Sequence, residues 1–264
     1  MDIQKILKDV ENTIHSPQER GYFLIHEARY AYILEQINKL TIDKLTTKQN
    51  TLDSRVRGNN KRKRILDVGC YPYHLGKALE LMGHEVWGIS STHEPVKHEN
   101  IKTCNIETDT FPFKDDFFDM VIFTEVLEHL PQSPLHALNE MRRVAKPGGT
   151  LILTTPNITR SINRLKILLG KNVSYPLAHL LENDGNGDNL YHRHNREYTL
   201  KEVKTLVKHA DWHIEKAEYF VSYTPFRRRT VPDKPWMKAG KTANFVLMNI
   251  LASMRDTLLV VGKK

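Results

Sequence analysis

The sequence predicts an α/β protein with a doubly wound, mostly parallel sheet of seven strands. Short apolar runs alternate with helix-like patterns along most of the chain, which is typical of parallel sheets crossed by helices. The run at 117–125 is apolar almost throughout, as expected for a strand buried on both faces. The first apolar run, 65–68, leads straight into Gly69, which predicts a ligand-binding turn at the carboxyl edge of the sheet.

The first 45 residues are predicted to form helices that brace this sheet. Residues 16–19, Ser-Pro-Gln-Glu, form a capping box with proline at the first helical position. Apolar residues then recur at helical spacing, at Leu24, Ala28, Ala31, Leu34, Ile37 and Leu40. Residues 46–64 are polar and basic without an apolar period, which indicates an exposed linker that can be shortened at little cost in stability.

From residue 65 to 264 the pattern indicates one main domain. A helix is predicted to begin near His74 and to end at Gly83, and Ser133-Pro134 and Thr199-x-x-Glu202 predict two further helix starts. Another helix is predicted near 245–254, and the Lys-Pro-Gly-Gly segment at 146–149 predicts a turn. Strands are predicted at 65–68, 86–89, 100–106, 117–125, 150–156, 213–221 and 257–262.

The composition of the chain limits which binding partners and which cellular compartment are expected. The net charge of +8 admits nucleic acid, an anionic membrane face or an acidic substrate, although the basic clusters at 61–64 and 227–229 are also typical of solvated loops. The two cysteines show neither metal-type spacing nor a disulfide framework, which favours a reducing cytosol. No apolar run reaches the ~20 residues of a membrane span, and the amino terminus lacks the apolar core of a signal peptide.

The turn after the first strand argues against a dinucleotide cofactor. A pyrophosphate needs clustered backbone amides, and therefore the three glycines of G-x-G-x-x-G. The segment 69–74, Gly-Cys-Tyr-Pro-Tyr-His, has a single glycine, and Pro72 removes one amide donor. NAD is therefore a poor fit.

Three motifs carry a family resemblance. These are ILDVGC at 65–70, FDMVIFTEVLEHL at 118–130 and KPGGTLILTTPN at 146–157. In this order and spacing, the chain from about residue 60 resembles a class I S-adenosylmethionine (SAM)-dependent methyltransferase of the small-molecule type. The resemblance implies a Rossmann-like sheet, SAM as cofactor and an antiparallel last strand, matched by MRDTLLVVGKK at 254–264.

The resemblance also implies the cofactor residues, with departures in the glycine loop. Tyr73 replaces a glycine and is expected to cost about 1 kcal/mol of strain. Ser90 replaces the acid that normally grips the ribose, which loses about 1.5–3 kcal/mol unless Glu94 takes over. Asp67 is expected to face the methionine part of SAM or to fix the glycine turn. The implied cofactor set is Asp67, Gly69, Tyr71, Ser90, Asn105, Ile106 and Thr124.

Catalytic candidates follow the fourth strand. His129 lies one helical turn beyond Glu125, so both can point toward the site, with His129 as a general base or as a structural histidine. The segment 157–198 is too long for a plain connection and, by the resemblance, covers the acceptor pocket. We expect His194 to act there in catalysis and His192 and Arg196 to bind the acceptor.

No metal site is predicted. His192 and His194 lack a third ligand at a sensible spacing in the sequence. The acidic segment at 184–195 fails as a calcium loop, because asparagines stand where the glycine and the bidentate glutamate are needed.

The leading functional prediction is SAM-dependent methyl transfer to a small molecule, such as a sugar, a lipid-linked compound or a secondary metabolite, by a cytoplasmic enzyme. The acceptor is expected to be anionic or lipid-linked, with peripheral membrane contact as an option. The altered loop keeps open a methyltransferase-like scaffold that binds a partner. Nucleic-acid methylation is disfavoured, since residues 124–127, Thr-Glu-Val-Leu, do not match the Pro-Pro-aromatic motif of base-amine methyltransferases.

Overall fold

The computed structural model describes residues 1–41, 62–91, 96–174, 192–222 and 235–264. The predicted linker at 46–64 lies almost entirely outside these ranges, as does the predicted end of the amino-terminal helical segment at 42–45. Both expectations therefore stay predictions.

The secondary structure alternates as the sequence predicts. Seven helices are described, namely α1 (Ile3–Asn12), α2 (Pro17–Thr41), α3 (His74–Leu81), α4 (Leu135–Val144), α5 (Ser161–Leu168), α6 (Leu200–His209) and α7 (Pro235–Ile250). The strands are β1 (Arg64–Val68), β2 (Glu85–Ser90), β3 (Ile101–Thr103), β4 (Phe118–Thr124), β5 (Ala145–Pro156), β6 (His213–Phe220) and β7 (Thr257–Lys263). Short 3-10 turns lie at Leu127–His129 and Ala252–Met254.

The seven strands form one sheet in the order β3-β2-β1-β4-β5-β7-β6. Pairing is parallel from β3 to β5, and β7 runs antiparallel to both β5 and β6. The predicted fold class, with its antiparallel last strand, is confirmed. Because the strand order reverses between β1 and β4, the connections that follow these two strands diverge and leave a crevice at the carboxyl edge.

Two apolar layers cover the sheet. On one face α1, α2 and α3 bury Phe23, Leu34 and Leu79 against Ile65 and Ile122 of the sheet. On the other face α4 and α6 pack around the buried indole of Trp212. The amino-terminal helices thus form part of the core, as predicted. Within the described ranges, no helix is long and apolar enough to cross a membrane.

Three predicted boundaries differ from the structure. The predicted turn at 146–149 lies inside β5 as a bulge. Between two consecutive paired positions, β4 advances by two residues, from Phe118 to Met120, while β5 advances by five, from Ala145 to Thr150. β3 ends at Thr103, short of 106, because the side chain of Asn105 accepts the amide of Glu107 and turns the chain. The helix predicted near 245–254 instead spans Pro235–Ile250.

The predicted cap of α2 has a second function. The amide of Glu19 donates to Ser16 Oγ (3.4 Å), which is one half of the predicted capping box. The Glu19 carboxylate, however, bonds Nε2 of His74 (2.9 Å), the first residue of α3. His74 is buried, so this contact joins the starts of the two helices.

Tyr73 is not strained, and the expected cost of a tyrosine in the glycine loop is wrong. Its φ is −71°, an ordinary value for any L-residue. Its ring lies over Gly76, where an added Cβ would come within 2.0 Å of the ring. Its hydroxyl donates to Glu80 (3.0 Å). The missing loop glycine is thus compensated by a glycine one turn into α3.

We therefore expect Tyr73→Gly to lower the free energy of unfolding by about 1–3 kcal/mol, since it removes ring packing and one hydrogen bond. Tyr73→Phe is the matched control and should cost only the hydrogen bond, about 1 kcal/mol. Urea unfolding of both variants measures this, and an unchanged or raised stability of Tyr73→Gly would contradict it.

Candidate active site

A cavity of about 1090 Å³ opens at the carboxyl edge of the sheet. Its walls come from the loop after β1, the end of β2, the residues after β3 and the turn after β4. Helix α2 covers one side, and His192 and His194 close another. The cavity therefore lies at the position where the reversal of strand order leaves room for a ligand.

Gly69 is the one loop position that requires glycine. Its φ is +80°, and an added Cβ would lie 2.4 Å from Cγ2 of Val126. The amides of Gly69 and Cys70 both donate to the carbonyl of Ile89 (2.9 and 3.0 Å). These amides are consumed within the fold, so this turn suits a ligand without a pyrophosphate. Tyr71 is exposed at the cavity wall.

Ser90 and Asn105 line the same end of the cavity. Ser90 ends β2 and is buried, and its hydroxyl accepts the amide of Val96 (3.4 Å). The side-chain oxygen of Asn105 accepts the amide of Glu107 (3.0 Å), and Ile106 completes this wall. Glu94, the expected substitute for the ribose acid, lies outside the described residues.

Glu107 is a wall residue that sequence reasoning missed. It is 6% exposed, and its Oε1 accepts the amide of Gln132 (2.7 Å). Its Oε2 is buried and has no hydrogen-bond partner in the part of the chain that the structure describes. An unsatisfied buried carboxylate oxygen is a ready acceptor for a ligand's N–H group. The signal available in the sequence was an acid two residues after Asn105.

Two members of the predicted cofactor set lie outside the cavity wall. Asp67 is buried within β1, and burial raises the pKa of its carboxyl to about 7. Thr124 is half-buried at the end of β4. The predicted members that do line the cavity are Gly69, Tyr71, Ser90, Asn105 and Ile106.

Glu125 lies in the cavity wall, but its carboxylate is engaged elsewhere. Its φ is +56°, and its Oε1 accepts the hydroxyl of Thr154 (2.9 Å). Its Oε2 accepts from Arg29 of α2 (2.9 Å) in a nearly buried ion pair. Burial alone would lower the pKa of Arg29, but the charge of Glu125 raises it. The geometry thus makes Glu125 an anchor for α2 and leaves it poorly placed to take a substrate proton.

His129 follows β4, on the other side of β1 from Ser90 at the end of β2, and it lies close to His194 and Glu128. One ligand atom of each of these three residues lies within 4.8 Å of the others. Glu128 is 1% exposed, and burial, together with the charge of Glu125, raises its pKa well above the ordinary value. This group differs from the pair considered in the sequence, because it contains Glu128 and His129 and does not contain His192.

Hydrogen bonds to two backbone carbonyls hold these groups together. The amides of Asn195 and Arg196 both donate to the carbonyl of Glu128 (2.7 and 3.2 Å). The side-chain amide of Asn195 donates to the carbonyl of His129 (2.7 Å). His192 also lines the cavity, whereas the Arg196 side chain points to the surface and pairs with Glu202 (2.7 Å). The structure does not place the Arg196 side chain in the cavity wall, against expectation.

Comparison with known proteins agrees with this architecture. Residues 40–217, more than half of the chain, match the family model of a methyltransferase domain. A ubiquinone biosynthesis O-methyltransferase of Actinobacillus pleuropneumoniae is 30% identical over 146 residues, covering 50% of this chain and 58% of that protein. An uncharacterized methyltransferase of Schizosaccharomyces pombe is 36% identical over 107 residues, covering 34% of this chain and 38% of that protein.

The first of these relatives is matched over little more than half of its length. Among solved structures, a SAM-dependent methyltransferase from Archaeoglobus fulgidus has a TM-score of 0.55 at 15% identity. The alignment covers 90% of this chain and 94% of that one. This likeness shows a shared fold over nearly the whole chain.

The buried Asp67 predicts a measurable pH dependence. Its folded pKa is raised to about 7 from an ordinary 3.8, so the stability it contributes is greatest below pH 4 and is lost as the pH rises to 7. Asp67→Asn should therefore be more stable than the wild type at pH 8, by on the order of 3 kcal/mol. The difference should shrink at pH 5.

Urea unfolding at both pH values measures this effect. Asp119→Asn is the control of opposite sign. Burial alone would raise the pKa of Asp119, but hydrogen bonds from Lys146 and the amide of Arg64 lower it. Asp119→Asn should therefore be less stable than the wild type at pH 8. Equal stability of Asp67→Asn and the wild type at pH 8 would contradict the burial argument.

Proposed function

We propose that this chain, which belongs to the methyltransferase-domain family, transfers a methyl group from SAM to a hydroxyl oxygen of a small-molecule acceptor. The observation that carries the proposal is one cavity with two chemically different ends. Polar groups expected to hold a nucleoside, Ser90 and Asn105, line one end. Histidines able to contact a reacting oxygen, His129 and His194, line the other.

The cofactor end suits SAM better than a phosphate-containing cofactor. SAM carries positive charge on its sulfonium and its amino group and has no pyrophosphate. The amides of Gly69 and Cys70 are already bonded within the fold, whereas Asp67 and Glu107 place buried acids at and behind this wall. A cationic ligand bound beside buried acids stabilises their ionised forms and is held more tightly in return. We assign the ribose to Ser90 and the adenine to the wall formed by Asn105, Ile106 and Glu107.

The acceptor end supports transfer to oxygen. Nδ1 of His129 lies 3.1 Å from the carbonyl of Arg193, which can only accept, so Nδ1 carries the proton. Nε2 of the neutral ring then has the lone pair. As the acceptor oxygen attacks the methyl carbon and the carbon–sulfur bond of SAM breaks, the hydroxyl proton can pass to this nitrogen. The relative named as an O-methyltransferase supports an oxygen acceptor.

A lipid-linked acceptor is favoured by one surface feature. Helices α5 and α7 are neighbours, joined by a hydrogen bond from Ser161 to Asn244. These helices and the residue after each of them carry many exposed apolar side chains, which is unusual for a surface that faces only water. This apolar face consists of Ile162, Leu165, Ile167, Leu168, Leu169, Val246, Leu247, Ile250 and Leu251. We propose that it contacts a membrane surface while the acceptor is delivered.

Calorimetric titration with SAM tests the proposed cofactor. We expect micromolar or weaker affinity for the wild type, because Ser90 provides a neutral hydroxyl where a carboxylate would hold both ribose hydroxyls. Ser90→Asp should tighten binding about tenfold or more, as a gained charged hydrogen bond implies. Ser90→Asn has nearly the same shape without the charge and should gain less.

The same titration separates the enzyme from the scaffold alternative. No binding of SAM or of its demethylated product to the wild type or to Ser90→Asp would overturn the proposed function. Equal affinity of Ser90→Asp and the wild type would show that the ribose is held by a different group.

Cosedimentation with anionic phospholipid vesicles tests the apolar face. Replacing Leu165 and Leu168 together by glutamate should reduce the bound fraction several-fold, because it puts two charges into the contact. Leu81→Glu on α3 is the control, since Leu81 is also exposed but lies on another helix. Equal sedimentation of all three proteins would exclude this face as the membrane contact.

A further inference from the structure

We propose that Glu128, His129 and His194 bind a divalent transition-metal ion at the acceptor end of the cavity. One ligand atom from each residue lies within 4.8 Å of the other two. Bonds of about 2.0–2.2 Å around one ion bring such atoms to roughly 3–3.5 Å, so a small contraction completes the site. Two imidazoles and one carboxylate are a ligand set for zinc, manganese or iron rather than for magnesium or calcium.

His129 is oriented as metal-binding histidines usually are. Its Nδ1 faces the carbonyl of Arg193 at 3.1 Å, which fixes the proton on that nitrogen. Nε2 then offers its lone pair on the side of Glu128, whose Oε1 lies 3.9 Å away. A second hydrogen bond of this kind sets the tautomer and the direction of a metal-binding ring.

His194 has the same arrangement with a stronger partner. Its Nδ1 lies 3.0 Å from Oε1 of Glu197. Arg160 holds that carboxylate through both of its terminal nitrogens (2.6 and 2.9 Å). The side chain of Glu197 is only 9% exposed, so these bonds fix its position. This carboxylate leaves Nε2 of His194 as the ligand nitrogen.

Glu128 supplies the negative charge. It is 1% exposed, and its Oε2 accepts the hydroxyl of Thr155 (2.9 Å), which leaves Oε1 toward the histidines. A buried carboxylate is costly unless a proton, a cation or a metal compensates it. The guanidinium of Arg29 is already paired with Glu125 and so does not form the ion pair that Glu128 needs. A metal ion between Glu128 and the two imidazoles would meet this need.

The site would be open to the acceptor. Three protein ligands leave at least one coordination position, and the cluster lies in the cavity wall. We infer that the acceptor's oxygen takes this position, a step that rests on the proposed function. A metal ion lowers the pKa of a hydroxyl bound to it. In this arrangement Nε2 of His129 is a metal ligand and no longer the base, so the acceptor's proton leaves to solvent.

Direct metal binding tests the inference without SAM or an acceptor. The untagged full chain is stripped with a chelator, dialysed against Zn²⁺ or Mn²⁺, and analysed by elemental mass spectrometry. We expect one ion per chain. Glu128→Gln and His194→Ala should each weaken binding at least tenfold, and His26→Ala should not, because His26 lines the same cavity outside the cluster. Glu197→Gln should weaken binding about tenfold, as expected for the partner of a ligand.

Circular dichroism and thermal unfolding establish that each variant is folded. His194 is 40% exposed, so its variant remains decisive if loss of the buried Glu128 charge disturbs folding. Absence of stoichiometric metal in the wild type, or retention of full metal content by His194→Ala, would overturn the inference. SAM titration of the metal-free protein separates the two proposals, because SAM binding without metal binding removes only the metal site.

Discussion

The ion pair between Arg29 and Glu125 is the contact on which the cavity depends. It joins residues 96 positions apart, with side-chain exposures of only 9% and 14%. Removing one partner of such a pair leaves an uncompensated buried charge, at a cost of about 3–5 kcal/mol. The pair fixes α2 as a wall of the cavity. Glu125 itself has a left-handed φ of +56°, and the turn with Glu128 and His129 follows it directly.

The two ends of the cavity are built in different ways. At the proposed cofactor end, Gly69 and Ser90 reach the cavity because each stands at the carboxyl end of a parallel strand. At the proposed acceptor end, His129 and His194 meet because the backbone amides of Asn195 and Arg196 donate to the carbonyl of Glu128. The first arrangement follows from strand geometry. The second depends on a long connection folding back onto the turn after β4.

Charge is distributed unevenly between the surface and the cavity. The chain carries a net charge of +8, yet the buried groups at or behind the cavity include the acids Asp67, Glu107 and Glu128. Burial raises the pKa of Asp67 and of Glu128, so a cation bound beside them would favour their ionised forms. We therefore expect the cavity to favour cationic ligands even though the protein as a whole is basic. Both a sulfonium cofactor and a divalent metal ion have this character.

Strand alternation, the glycine at the end of β1 and the motifs after β4 and within β5 determined the fold class and the family from the sequence alone. These features follow from local periodicity, which fixes where a strand ends and which side chains face the ligand. The tertiary structure alone decided that Arg29 holds Glu125, that Glu128 joins the histidines, that Arg196 faces solvent, and that Tyr73 adopts a relaxed conformation over a glycine of α3. Some of these contacts join segments far apart in the chain, and others depend on how neighbouring side chains pack. The spacing of residues in the sequence predicts neither kind of contact.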